Sequence, residues 1–136
     1  MLVHFPVACW SLGTFCDGLT VAGYPRAWPE GALLLTIGLA LALPAALAGF
    51  IDFIALPEKS IHTGTVHMML MGTAWCLYLI TMLLRSDGWA LAAKPGWATV
   101  TLSFLGLLIM VAGGHYGGQL VYRFGAGVNQ NRPECR

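Results

Sequence analysis

The sequence predicts an all-α integral membrane protein, a four-helix bundle running up-down-up-down. Three observations carry that reading. Of the 136 residues, 57% are hydrophobic and only 10% charged, whereas soluble domains carry about a quarter charged residues. The mean hydropathy is +0.72. The apolar residues gather into four long runs with short polar interruptions, as membrane spans do. The net charge of +1 gives no basic footprint for a phosphate backbone, which excludes nucleic acid as a partner.

Each span has its own signals. The first covers about residues 5–22, with Pro6 in the first turn, where a helix tolerates proline. It sits near the lower length limit for crossing a bilayer, so a re-entrant first segment is the main rival to four full spans. Gly23 to Glu30 reads as a loop carrying interfacial aromatics. The second span covers about 31–56, with Pro44 as a kink site. Pro57-Glu58-Lys59-Ser60 is a tight connection, so the second and third spans should form an antiparallel hairpin. The third span covers about 61–84, Arg85 to Gly96 form a loop, and the fourth span covers about 97–122. Residues 1–123 thus make the bundle, and 124–136 make a polar tail.

Cysteine and charge add little. Cys9, Cys16 and Cys76 lie in apolar runs as small hydrophobes, and Cys135 lies in the tail. No C-x-x-C-H occurs, so covalent haem attachment is excluded. The N-terminus lacks the basic n-region of a signal peptide. Lys59, Arg123, Arg132 and Arg136 fall on the side holding both termini, here the terminal side, against Arg26, Arg85 and Lys94 opposite. That balance does not fix the orientation.

Ionisable residues inside a bilayer are costly and are functional candidates by default. All four histidines fall toward the terminal side. His67 is eight residues beyond Lys59, and His115 eight before Arg123. Both therefore lie roughly 12 Å inside their charged markers. Two imidazoles at one depth on different helices suit the axial positions of haem b, which makes His67 and His115 the first candidate pair. His4 and His62 form a shallower reserve pair for a second haem iron, with His4 and His115 as a cross-pairing. His62 and His67 are five residues apart, about 140° round the helix, and so face different groups.

Small residues and carboxylates complete the pattern. Gly113-Gly114-His115-Tyr116-Gly117-Gly118 holds two overlapping G-x-x-x-G spacings, which admit a neighbouring helix or a flat macrocycle. Gly114 and Gly118 flank His115, and Gly64 gives comparable room one turn before His67. Asp52, near the end of the second span, is placed to orient a histidine of the third by accepting its N–H. Asp17 is expected to cap or pair structurally. The Met68-Met69-Leu70-Met71 run reads as core or lipid-facing surface.

The opening Leu2-Val3-His4-Phe5-Pro6-Val7-Ala8, the Gly49-Phe50-Ile51-Asp52 stretch, His67, and the ending Gly114-His115-Tyr116-Gly117-Gly118-Gln119-Leu120-Val121-Tyr122-Arg123-Phe124-Gly125-Ala126-Gly127-Val128 resemble one bacterial membrane family. This is the family called domain of unknown function 2231, and the resemblance covers nearly the whole chain. It implies a bacterial inner-membrane protein. Its occurrence beside c-type cytochrome or sugar-dehydrogenase-like domains implies electron transfer. His62 falls outside the family pattern.

The functional expectation is a b-type cytochrome subunit with one haem b, or two, exchanging electrons with a redox partner and a quinone. A bis-imidazole iron has no open position, so electron transfer rather than catalysis is its task. With little mass outside the membrane, the chain would anchor a larger complex containing a c-type cytochrome or a dehydrogenase. The alternative is a cofactor-free structural or assembly subunit packing through its glycine faces. A third reading is a transition-metal site, since imidazoles also bind copper, zinc or nickel.

Overall fold

Four helices account for almost all of the chain in the computed structural model, which describes residues 3–87, 90–91 and 96–126. Helix α1 is His4–Val21, α2 Ala27–Ile54, α3 Glu58–Arg85 and α4 Trp97–Tyr122. Between α3 and α4, Ser86–Asp87 and Ala90–Leu91 form a two-residue antiparallel pairing. Most of the polar tail expected over 124–136, Cys135 included, lies outside the described residues, as does part of the loop expected from 85 to 96.

Local chemistry sets the boundaries. Helix α1 stops where Gly23 adopts φ +100°. There the Gly23 N–H donates to Thr20 O and the Tyr24 N–H to Leu19 O, closing the helix with a left-handed glycine cap. Helix α2 starts four residues earlier than expected, because Pro29 sits in its opening turn, where no intrahelical N–H is needed. Helix α3 begins directly after the extended Pro57 and carries on through Arg85, one residue past the expected span. Helix α4 has the expected bounds.

Each helix runs antiparallel to the one before it and packs on its neighbours in the order α1, α2, α3, α4, with α4 returning to α1. The pairs α1–α2 and α3–α4 are the closest. Small residues permit this: a methyl at Gly13 would come within 2.6 Å of Leu35, and one at Gly38 within 2.6 Å of Trp10. Trp10, Leu35, Ala42, Ala74, Tyr78 and Met110 make the core, with the Trp10 and Tyr78 rings stacked at 4.9 Å. Large apolar side chains such as Leu47, Ile51, Met69 and Leu108 are exposed on the outside, as a lipid-facing surface requires.

Helices α2, α3 and α4 are long and apolar enough to cross a membrane. Helix α1 is shorter and falls short of that measure: its 18 residues span about 27 Å. It turns Thr14, Asp17 and Thr20 inward, where all three are buried. The bundle therefore has unequal members. Thr14 of α1 meets the Ser103 carbonyl of α4 at 3.5 Å. Counting ten residues from each toward the terminal side reaches His4 and Gly113, both about 15 Å below that contact. Helix α4 continues nine residues past Gly113, about 13 Å further. Among the described residues, nothing continues α1 beside it.

Candidate functional site

The terminal-side histidines occupy different surroundings. His67 faces α4, and its Nδ1 donates to the Gly113 carbonyl at 2.8 Å. That bond places a proton on Nδ1. The ring is pressed onto α4, since a methyl at Gly117 would lie 2.9 Å from His67 Cε1. One helical turn along, a methyl at Gly113 would meet Met71 Sδ at 2.9 Å. No gap for a macrocycle exists between α3 and α4 at this level.

His115 is exposed, and its Nε2 accepts a hydrogen bond from the Gln119 amide at 2.9 Å. It stands two residues from both Gly113 and Gly117, about 160° from the face that meets α3. The structure therefore does not bring His67 and His115 together. Helical geometry separates them, although their depths match.

His115 instead continues the side of α4 that meets α1 higher in the bundle. There Phe104 packs on Gly18, 3.5 Å from where a methyl would stand. His115 is eleven residues beyond Phe104, and Gly118 eleven beyond Leu107, each about 20° round the helix. Gly114 and Gly118 have open space before them, with nothing within 4 Å of an added methyl. His115, Gly118, Gln119, Tyr122 and Arg123 line an open hollow of about 570 Å³. All five belong to α4; His4, at the start of α1, is also exposed.

The remaining candidates sit apart. His62 is exposed near the start of α3. Gly64 gives no room for a cofactor, because a methyl there would already meet Leu56 at 2.6 Å and Phe53 at 3.0 Å. Asp52 is exposed and, among the described residues, hydrogen-bonds neither His62 nor His67. The expectation fails for a rotational reason: Phe53 faces α3, and Asp52 lies 100° away round the helix. Asp52→Asn should shift stability by less than about 0.5 kcal/mol in a detergent unfolding titration. A larger loss would mean the carboxylate has an inward partner. Among the described residues, no three His, Cys, Asp or Glu side chains gather as a metal centre.

Comparison with known proteins decides the family. The family model described as "Predicted membrane protein (DUF2231)" matches residues 1–130. The chain belongs to this DUF2231 family. No curated protein and no solved structure matches it.

This DUF2231 protein also holds a polar constellation that sequence reasoning missed in part. At the end opposite the histidines, Arg85 Nη2 donates to Asp17 Oδ2, and both side chains have 0% exposure. The same nitrogen donates to Ser103 Oγ at 3.3 Å, and the Trp28 ring lies 4.2 Å from the guanidinium carbon. Thr14 Oγ1 pairs with Tyr78 OH at 3.1 Å one turn below. Among the described residues, Asp17 Oδ1, Arg85 Nε and Arg85 Nη1 have no hydrogen-bond partner. Structural pairing was expected for Asp17, but its partner was not. The available signal was an arginine closing an apolar run at the same end of the bundle, since intramembrane carboxylates seek cations.

Proposed function

We propose that this protein is the membrane anchor and electron-transfer subunit of a larger redox complex in the bacterial cytoplasmic membrane. In this reading it holds haem b in the groove below α1, with His115 and His4 as the axial imidazoles. One observation carries it: the α1-facing side of α4 continues past the start of α1 as an exposed imidazole beside two open glycines. Gly114 and Gly118 offer a floor on which a flat macrocycle can lie close to the backbone. The Gln119 amide points a donor at Nε2, so that atom carries the lone pair with which His115 would hold the haem.

The haem supplies one-electron chemistry, and the protein supplies ligands and a dry setting. His67 acts on α4 rather than on iron, because its bond to Gly113 fixes how α4 sits against α3. A c-type cytochrome or a dehydrogenase is the proposed redox partner, with a membrane quinone at the other end of the transfer. His62 is left without a ligand role, so one haem is proposed.

The test is a reduced-minus-oxidised spectrum of protein made with ample haem. The expected result is a low-spin bis-imidazole signal that His115→Ala and His4→Ala each abolish or convert to high spin. His62→Ala should leave it intact. Wild-type protein without a Soret band would overturn the cytochrome reading. The exposed Gly114–Gly118 spacing would then mark a packing face, as in a cofactor-free assembly subunit.

A further inference from the structure

Leu108, Val111, His115, Gln119 and Tyr122 follow one another at spacings of three or four residues and so share one side of α4. The chemistry of that side changes at His115. Leu108 and Val111, before it, are apolar and 67% and 63% exposed. After it come the Gln119 amide, the Tyr122 hydroxyl and, just off the same side, the Arg123 guanidinium. These three line the hollow of about 570 Å³ together with His115 and Gly118. The side is therefore apolar on one flank of the imidazole and supplied with hydrogen-bond donors on the other.

Arg123 is the charged member of the lining. It is exposed and stands eight residues past His115, about 12 Å nearer the terminal-side surface. Among the described residues no carboxylate pairs with it, and its guanidinium carbon lies 5.7 Å from the Phe124 ring. The residues that line the hollow include no carboxylate either. A guanidinium without a counter-charge, beside lipid, favours an anionic oxygen, and a carboxylate matches its fork.

We propose that Arg123 pairs with a propionate carboxylate of a haem held on His115. The inference rests on the haem reading above and adds to it the direction in which the ring lies. Haem b is divided in the same way as this side of α4: one edge carries only methyl and vinyl groups, and the other carries both propionates. Set on His115, the apolar edge falls toward Val111 and the acidic edge toward Arg123. The rise from His115 to Arg123 is then covered by half the ring, a propionate arm and the flexible arginine side chain. The acidic edge faces the terminal-side surface.

The experiment titrates the haem-free full chain in detergent with haemin and with haemin dimethyl ester, whose propionates carry no charge, and reads the Soret band. The preference for haemin over the ester is expected to be about three- to tenfold larger in wild type than in Arg123→Gln. Arg123→Lys should keep part of that difference. Arg26→Gln, which removes an exposed arginine at the opposite end, should keep all of it. Arg123→Gln should also lower the haem midpoint potential, because a propionate without its cation favours ferric over ferrous iron. A tenfold change in that ratio is about 59 mV. Arg123 is exposed, so replacing it costs no packing. If wild type and Arg123→Gln prefer haemin over the ester equally, this proposal is overturned and the haem reading stands. If neither ligand gives a Soret band, the haem reading itself is overturned, and this proposal with it.

Discussion

Asp17→Leu is expected to destabilise the bundle by about 3–5 kcal/mol, because it leaves a buried guanidinium without its counter-charge. Both side chains of the pair have 0% exposure, so neither water nor salt screens the loss. The helices already favour these charges where they stand. Arg85 is the last residue of α3, at the negative end of that helix. Asp17 Oδ1 lies 3.2 Å from where a methyl at Gly31 would stand, near the positive start of α2. The double variant Asp17→Leu with Arg85→Met should recover most of the loss, since apolar replacement of a buried pair is often neutral or better. Unfolding titrations in mixed micelles measure all three. If the single and double variants behave alike, the pair does not lock the bundle.

The other large effect belongs to Trp10. It is 2% exposed, stacks on Tyr78, and presses its Cδ1 and Nε1 edge into the space left by Gly38. Trp10→Ala should cost about 3–5 kcal/mol through lost contacts and the cavity left behind. Gly38→Ala should cost about 1–3 kcal/mol for the opposite reason, because its methyl would collide with the indole. The two must couple. With Trp10 replaced by alanine, the added methyl at Gly38 should become nearly harmless, and a double-mutant cycle in the same titration reads the difference. Simple additivity of the two costs would contradict the proposed contact.

The sequence states its spans plainly because lipid demands long apolar runs, and α4 begins and ends where hydropathy puts it. Boundaries moved where backbone chemistry outweighed composition. Pro29 allowed α2 to start early, and the ion pair drew Arg85 into α3. The histidines were legible as a group by depth, yet their facing was not. Whether His115 looks toward α3 or α1 depends on which glycines the third helix covers. Gly113 and Gly117 are covered, while Gly114 and Gly118 are open, and both spacings look alike in the chain. Asp52 failed for the same reason, one residue away from Phe53, which does face α3. The partner of Asp17 lies 68 residues away, beyond the reach of any local pattern.

That separation bears on how the protein is made. A lone carboxylate costs up to about 2.5–3.5 kcal/mol on insertion at a helix centre and less near a helix end, where Asp17 stands. Helix α1 lacks the long apolar stretch of the other three and meets that cost before its cation exists. Synthesis at about 5–20 residues per second places Arg85 roughly 3–14 s behind Asp17. During that interval α1 has α2 to lean on and no counter-charge. Its settled position in the membrane is thus gained late, when α3 delivers the arginine, so α1 comes to rest only after two further helices have followed it.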